Sequence, residues 1–468
     1  MKLTVIFKKL VRKLLIQNLY TSLRELIHQD FYRLLNARSK FYSTFFIITN
    51  FYKKKFFFLN KYTDKDFIND KKINDNTKKV ILITGPLKLG GSERQIIKLA
   101  EQLTKKKYNV RICSLRGSEK LTTYTINKKI KVDNILVKEN FPILKKYCQN
   151  HKLNKLNSFN FLNLYDRNRI FKLYDYLIKQ RPDVVHAHLD FYCIITGIVG
   201  VILNINKIIL STRSMPPHNF IFYIKYFKAG YQSLIKFKNI VFVNNSKAGS
   251  RAYEKWLKFP KGTFKTTYNI YDFNQKLKVK KINYIKTKGE IILGSVLRLD
   301  VEKNPIYLLN LFFHLIRKNP NYKFFIIGNG TLKNKIKNLI TKNNCDKKIT
   351  LLSDLHNVHD YLFFFDIFIL TSDLEGTPNV LLESQHVGTP VISTSAGGGA
   401  LESMAIPYSA ALISGKSYEK DARIIEKLIG NKSFIKKKNI KKIKDKLKYF
   451  LPYHSVKKIE QLYNKSKR

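Results

Sequence analysis

The stretch that decides the fold is DIFILTSDLEGTPNVLLESQHVGTPVISTSAGGGA, residues 366–400. It contains, in order, a short apolar run, a polar loop, a segment with helical spacing, a second apolar run and a glycine cluster. This order is the layout of a βαβ unit, in which a crossover helix joins two parallel strands. The stretch therefore predicts an α/β fold with a parallel sheet.

The loop after the first strand of this unit carries residues suited to a phosphate. We expect Thr377 to cap a helix whose first position is Pro378, since a proline there loses no hydrogen bond. The unpaired N–H groups at the helix start, that of Asn379 included, would attract an anion. Glu375 in the loop and Glu383 in the helix add two acceptors for hydroxyl groups. A diphosphate that links a sugar to a ribose would need both features.

The spacing of these two glutamates, with seven residues between them in SDLEGTPNVLLES, resembles the signature of the retaining glycosyltransferases of family four. That family has the GT-B fold. Its first glutamate contacts the donor sugar and its second contacts the ribose, so the resemblance implies these roles for Glu375 and Glu383. It also places Gly376 and the three residues after it beside the donor. The alternative is a solvated helix start of the kind found in any α/β domain.

Composition sets the broad class of protein. With 468 residues, 44% of them hydrophobic, the chain is long enough for two domains and an extension. Lysine and arginine number 87 against 33 acidic residues, for a net charge of +54, which ordinarily indicates a nucleic acid or an anionic membrane as partner. Because Asn, Ile, Tyr and Phe are abundant along with lysine, we attribute part of this excess to overall composition. We expect no nucleic-acid partner.

Cysteine usage and the apolar runs indicate the compartment. Cys113, Cys148, Cys193 and Cys345 have no metal-binding or redox spacing, and we expect them to be reduced and buried. We find no run long enough to span a bilayer and no signal peptide. These features predict a cytoplasmic protein.

Residues 1–78 form a basic, aromatic extension whose apolar residues recur with helical spacing. Such a helix can lie in the interface of an anionic membrane, which would make the protein peripheral at the inner face of the plasma membrane. It can equally pack on the following domain, and the sequence leaves both possibilities open.

We expect a first domain over residues 79–275. Its first strand is followed by GPLKLGGSERQIIKLAEQL, in which Ser92 is the expected N-cap of a helix. Gly90 and Gly91 would let the backbone approach a ligand closely. This segment resembles the GG-x-E-R loop that opens the acceptor-side domain in the same family, which implies that both glycines lie at the cleft.

Two further residues of the first domain are expected at the cleft. RPDVVHAHLD predicts a strand, after which His188 would sit at the rim where open α/β sheets bind ligands. A packed, hydrogen-bonded histidine is the alternative. The next strand ends in STRSMPPH, where Arg213 stands in place of the histidine of many family members.

The second domain is expected over residues 289–445, followed by a helix over residues 446–468 that the resemblance predicts to cross back to the first domain. GEIILGSVLRLDVEKNP predicts a strand, and Arg298 and Lys303 follow its end. An arginine binds two phosphate oxygens in one plane and a lysine supplies a mobile charge. The family uses such a pair for the donor's phosphates. Gly328, in KFFIIGNGTL, is expected to form a turn beside the nucleotide.

The expected protein is therefore a GT-B enzyme of two Rossmann-like domains with a cleft between them. It would transfer a hexose-type sugar, with retention, from a nucleoside diphosphate donor to a glycan or lipid-linked acceptor in cell-surface polysaccharide synthesis. Glu375, Arg298 and Lys303 would act in catalysis, with no metal and no cofactor. Two alternatives remain open: a nucleotide-sugar epimerase or hydrolase with the same fold, and a non-catalytic basic protein that binds nucleic acid.

Overall fold

The computed structural model describes residues 78–87, 90–115, 126–135, 164–219, 224, 226–353, 355 and 357–464. The predicted basic extension, apart from its last residue, lies outside the described residues, and so does Cys148.

The first domain is built on a parallel sheet with seven described strands in the order β3-β2-β1-β4-β5-β6-β7. Most of these strands are short runs rich in Val and Ile, which suit a sheet that is covered on both faces. The strands are β1 Lys79–Thr84, β2 Asn109–Ser114, β3 Lys131–Asn134, β4 Val184–His188, β5 Lys207–Ser211, β6 Ile240–Asn244 and β7 Phe264–Thr266.

Apolar side chains are buried on both faces of this sheet. Successive residues of a strand point to opposite faces: Ile81 and Ile83 enter one buried cluster, and Val80 and Leu82 enter another. The helices of this domain are α1 Gly91–Lys105, α2 Leu164–Gln180, α3 Asp190–Ile202, α4 Phe227–Leu234 and α5 Lys247–Leu257.

The start of α1 differs from the sequence prediction. The N-cap is Gly90, with extended backbone, and no side chain of the described residues caps the helix. Ser92, predicted as the cap, lies one residue inside the helix, because the helix already begins at Gly91.

The second domain has its own parallel sheet, with strands in the order β10-β9-β8-β11-β12-β13. The strands are β8 Ile291–Val296, β9 Tyr322–Ile327, β10 Ile349–Leu352, β11 Ile367–Leu370, β12 Val391–Ser393 and β13 Ala410–Leu412. The helices are α6 Pro305–Lys318, α7 Lys333–Lys342, α8 Val358–Phe364, α9 Asn379–His386, α10 Tyr418–Gly430, α11 Lys432–Ile435, α12 Ile440–Lys446 and α13 Pro452–Asn464.

The last helix, α13, packs on the first domain. Val456 and Ile459 join a buried cluster with residues of β1 and α1. The hydroxyl of Tyr463 lies 2.8 Å from Nδ1 of His186 in β4. The chain therefore passes between the domains twice, once after β7 and once before α13.

Both sheets reverse their strand order at one point, between β1 and β4 in the first and between β8 and β11 in the second. In open α/β sheets, ligands bind at the carboxyl ends of the strands at such a point, because the two loops there diverge. Most of the predicted site residues follow these four strands, whereas Arg213 follows β5 and Gly328 follows β9.

Cys113, Cys193 and Cys345 are buried free thiols, as predicted. Among the described residues, no helix is both long enough and apolar enough to cross a membrane.

Candidate active site between the two domains

The loops after β8 and β9 lie in close backbone contact. A Cβ atom at Gly328 would lie 1.8 Å from the carbonyl oxygen of Leu297, and one at Gly330 would lie 2.6 Å from the carbonyl carbon of Leu299. Since no side chain fits at either position, both must be glycine. The two glycines let the strand ends form a compact base beside the predicted phosphate-binding residues.

Lys303 and Glu375 meet at the reversal point of the second sheet. Lys303 ends a short 3₁₀ turn after β8, and Glu375 lies in the loop after β11. The Nζ of Lys303 donates to Oε1 of Glu375 over 2.6 Å, and the hydroxyl of Ser372 donates to the same oxygen over 2.9 Å. Both charged side chains are largely buried. Two of the three predicted catalytic residues are thus in direct contact.

Arg298, the third of them, has different partners. Its guanidinium pairs with Asp300 at 3.1 Å and also with Glu302. Its side chain is 60% exposed, so it is free to turn toward a bound anion. Burial raises the pKa of the Glu93 carboxyl in α1, and the nearby charge of Arg298 opposes this effect. Arg298 therefore lies within electrostatic range of the first domain.

The start of α9 corrects one prediction. Pro378 is the N-cap, with extended backbone at φ −73° and ψ 106°, and the helix begins at Asn379. Thr377 does not cap the helix, because its hydroxyl donates to the carbonyl of Asn245 in the first domain over 2.6 Å. No side chain of the described residues caps α9. The helix start is still a place where N–H groups can meet a phosphate.

Asn379 connects both domains and the linker between them, which is the segment between β7 and β8. Its Oδ1 accepts a hydrogen bond of 2.6 Å from Asn269 in the linker and one of 3.4 Å from Gln95 in α1. Its Nδ2 donates to the carbonyl of Gly91 over 3.4 Å. The predicted glycine loop and the predicted donor helix are therefore neighbours. This network uses the side chain of Asn379, whereas the sequence prediction assigned its backbone N–H to an anion.

Gly376 and Arg213 lie against each other across the domain boundary. A Cβ atom at Gly376 would lie 3.0 Å from the carbonyl oxygen of Arg213 and 2.5 Å from Oδ1 of Asn245. Arg213 has a positive φ of 66° and donates to Oδ1 of Asn269 over 2.6 Å. Burial lowers the pKa of its guanidinium to about 10. Arg213 thus supports the linker as well as facing the donor loop.

His188 is buried at the carboxyl end of β4, only 1% exposed. Neither of its ring nitrogens has a hydrogen-bond partner among the described residues. Burial lowers the pKa of the imidazole well below its ordinary value, and the charges of His186 and Arg213 act in the same direction. A neutral imidazole with two unpaired nitrogens can both donate to and accept from a ligand hydroxyl.

Glu383, the second glutamate of the predicted pair, has a partner from the other domain. Its Oε1 lies 2.7 Å from Nη1 of Arg94 in α1. The sequence signal for Arg94 was present in GG-x-E-R, but the prediction used only the glycines of that loop.

Glu402 makes a contact between the two domains that the sequence analysis did not predict. Its two carboxylate oxygens accept hydrogen bonds from the backbone N–H groups of Lys247 and Ala248, at 3.0 and 2.8 Å. The hydroxyl of Tyr268 adds a third bond of 2.8 Å. A second-domain carboxylate therefore binds the first two N–H groups of α5, a first-domain helix whose N-cap is Ser246, at a place where a negative charge is favourable.

The site as a whole combines two carboxylates, two cations, a helix start and a neutral histidine at the facing strand ends. In the described part of the chain, no three His, Cys, Asp or Glu side chains come together as a possible metal site. The arrangement can bind a diphosphate on the second domain and hydroxyl groups on either side of it.

Comparison with known proteins finds a family model that matches the second domain. Residues 278–463 match the model of the family described as Glycosyl transferases group 1. The Vi polysaccharide biosynthesis protein VipC/TviE of Salmonella typhi is 26% identical over 355 residues, which are 69% of this chain and 60% of that protein. The chain thus spans less than two thirds of this relative. The UDP-Gal:alpha-D-GlcNAc-diphosphoundecaprenol alpha-1,3-galactosyltransferase of Escherichia coli is 33% identical over 24% of this chain and 30% of its own length.

Comparison with solved structures gives the fold. The structure of Anabaena HepE in complex with UDP and glucose matches with a TM-score of 0.62 and 14% identity, covering 82% of this chain and 98% of that one. The chain has the GT-B fold, and this prediction from the sequence is confirmed.

Proposed function

We propose that this protein is a retaining glycosyltransferase that moves a hexose-type sugar from a nucleoside diphosphate donor to a glycan or lipid-linked acceptor. The observation that carries the proposal is the contact of Lys303 with Glu375 at 2.6 Å, at the reversal point of the second sheet and beside the start of α9. This geometry supplies a cation for phosphate and a carboxylate for sugar hydroxyls within one small volume.

The donor's diphosphate binds between the cations and the helix start. Lys303 exchanges part of its contact with Glu375 for a phosphate oxygen, and Arg298 turns from its two acidic neighbours to the other phosphate. The N–H groups at the start of α9 complete the site. Because these groups are fixed before reaction, they stabilise the charge that develops on the leaving diphosphate. The proposal assigns no part of this charge to a metal.

Glu375 orients the hydroxyls of the transferred sugar. The acceptor hydroxyl attacks the anomeric carbon from the face that the diphosphate leaves. The bond from that carbon to the acceptor oxygen forms as its bond to phosphate breaks, and the hydroxyl proton passes to the departing phosphate oxygen. This same-face course is what the family resemblance implies, and it needs no second carboxylate of the glycosidase type.

The first domain supplies the acceptor side. His188 offers two unpaired nitrogens, and the loop at Gly90 and Gly91 brings backbone close to α9. The names of the Salmonella and E. coli relatives support an acceptor in polysaccharide synthesis, in the second case a sugar on diphosphoundecaprenol. The alternative of an epimerase or hydrolase explains the donor site but leaves the facing first-domain residues without a role.

The test is nucleotide release from a panel of UDP-, GDP- and ADP-sugars, with and without sugar-diphosphoprenol acceptors. Wild type is compared with Glu375→Ala and Arg298→Ala, and with Lys318→Gln as a surface control. Release from one donor that both site variants abolish and the control retains supports the proposal. Acceptor-independent release as fast as the stimulated rate supports the hydrolase alternative. If no donor binds and the protein instead binds nucleic acid with a steep salt dependence, the proposal fails.

A further inference from the structure

An ion pair between Arg94 and Glu383 joins the two domains. Arg94 lies in the first turn of α1 in the first domain, and Glu383 lies in the second turn of α9 in the second domain. Nη1 of Arg94 is 2.7 Å from Oε1 of Glu383. One turn earlier on α9, Asn379 accepts a hydrogen bond from Gln95 of α1. The two helices therefore face each other along the same side.

The carboxylate of Glu383 uses one oxygen for this pair. Among the described residues, no hydrogen bond to its Oε2 is found. The side chain is 8% exposed, and a nearly buried carboxylate is stable only when it is paired. Arg94 therefore fixes the direction of the carboxylate and leaves one acceptor oxygen for another donor.

We propose that Arg94 is a positioning residue for the ribose of the nucleotide: it holds Oε1 of Glu383, so that Oε2 accepts from the ribose hydroxyls. This inference rests on the proposed function and on the family resemblance, which implies that Glu383 contacts the ribose. Arg94 and Glu383 belong to different domains, so the complete ribose contact forms only when the domains are closed. Nucleotide binding and closure are thus coupled, since the closed state binds the ribose more tightly.

A second cation on α1, Lys98, shows that the role of Arg94 is to orient the carboxylate and not only to supply positive charge. Lys98 lies one turn further along α1, and burial lowers its pKa while the charge of Glu383 opposes this effect. Its Nζ lies over the ring of Tyr271, 5.0 Å from the ring centre, and donates no hydrogen bond to Glu383 among the described contacts. Lys98 contributes positive charge near the carboxylate, whereas Arg94 fixes its orientation.

The experiment measures affinity for a ribose with and without its hydroxyls. Calorimetry gives the Kd of UDP, GDP and ADP and, for each that binds, of its 2′,3′-dideoxy counterpart. The proteins are wild type, Arg94→Gln, Arg94→Lys and Lys106→Gln. The last is the matched control, because Lys106 forms a 2.7 Å ion pair with Glu460 at the other end of α1.

In wild type and Lys106→Gln, we expect loss of the hydroxyls to weaken binding by about tenfold or more, as for a hydrogen bond to a charged group. In Arg94→Gln the two ligands should bind within about threefold of each other, with Arg94→Lys between these limits. A general structural defect would weaken both ligands alike and leave the ratio unchanged.

Each other outcome overturns the inference. The same hydroxyl dependence in Arg94→Gln as in wild type means that Arg94 does not position Glu383. Tighter nucleotide binding by Arg94→Gln means that Arg94 competes with the ribose. If wild type binds the nucleotide and its dideoxy counterpart equally well, the ribose hydroxyls do not bind to Glu383. If wild type binds no nucleotide at all, the proposed function fails together with the inference. In the other three outcomes nucleotide binds, so only the inference fails.

Discussion

Lys303 and Glu375 are 72 positions apart in the sequence, yet their charged atoms lie 2.6 Å apart. The contact exists because β8 and β11 are neighbours at the reversal point of the second sheet, so the loops after them meet. Each side chain is largely buried, and each neutralises the other in the absence of a ligand. The pair is therefore poised to bind a ligand that carries both phosphate and hydroxyl groups.

Replacing Lys303 by Gln should lower the rate of nucleotide release by roughly 10²- to 10³-fold, the usual effect of removing one fixed group that stabilises transition-state charge. Glu375→Gln should act similarly. Because the two groups work as a unit, the double variant should be far less impaired than the product of the two single effects. Steady-state release assays measure all three variants. Full additivity would contradict a joint role.

Replacing Glu402 by Ala should loosen the domain interface. The variant loses the carboxylate that binds the first N–H groups of α5, an effect of about 0.5–2 kcal/mol in the free energy of unfolding, together with the hydrogen bond from Tyr268. We expect a lower Tm and a larger radius of gyration in X-ray scattering. Glu426→Gln is the control, since it removes a carboxylate from an exposed ion pair with Lys318 that contributes little. An unchanged radius in Glu402→Ala would argue against a role in holding the domains together.

The buried Asp190 should make stability depend on pH. It accepts hydrogen bonds from the hydroxyls of Tyr231 and Tyr253 at 2.8 and 2.7 Å. Burial raises its pKa to about 7, although these hydrogen bonds oppose the shift. The folded protein thus holds a proton that the unfolded chain releases at a pH near 4. The resulting stability is fully present below the unfolded pKa and is lost as the pH rises toward 7.

Asp190→Asn stays neutral at every pH and keeps the size of the side chain. The Tm of this variant relative to wild type should therefore rise between pH 5 and pH 7.5. Asp346→Asn, a change at an exposed carboxylate, should show a constant difference over the same range. Thermal unfolding at the two pH values checks both expectations, and a constant difference for Asp190→Asn would show that Asp190 is ionised throughout.

We propose that the basic segment before the first domain binds an anionic membrane. The full chain should then sediment with vesicles that contain anionic lipid, and a chain lacking residues 1–60 should not. Neutral vesicles control for aggregation. Equal binding of the two chains to anionic vesicles would show that any membrane contact comes from the rest of the chain, which is also rich in lysine, or from its overall positive charge.

The sequence was most informative about local structure, where neighbouring residues decide the element that forms. The run from Asp366 to Ala400 predicted the βαβ unit, because apolar strands and a glycine-rich return are local signals. The cations after β8 and the glutamate after β11 were also visible, since both follow strands. Their 2.6 Å contact could not be derived, because it depends on strand order rather than on spacing.

Contacts between the two domains could not be predicted from the sequence. Thr377 has the features of a cap, but the carbonyl of Asn245, contributed by the other domain, takes its hydroxyl. Glu402 follows a glycine cluster, and nothing nearby in the sequence indicates a partner for it. The backbone groups that it binds are 154 and 155 positions away. Arg94 was visible only as part of a loop motif. Local patterns do not show which surfaces of two domains will meet.

The measurement that tests the central claim most directly is the anomeric configuration of the product. The donor identified in the panel, with an α-linked sugar, is incubated with the protein and a short-chain sugar-diphosphoprenol acceptor, and the anomeric proton of the new linkage is read by NMR. The account predicts an α linkage, formed on the face that the diphosphate leaves. A β linkage would contradict same-face transfer at Glu375 and Lys303.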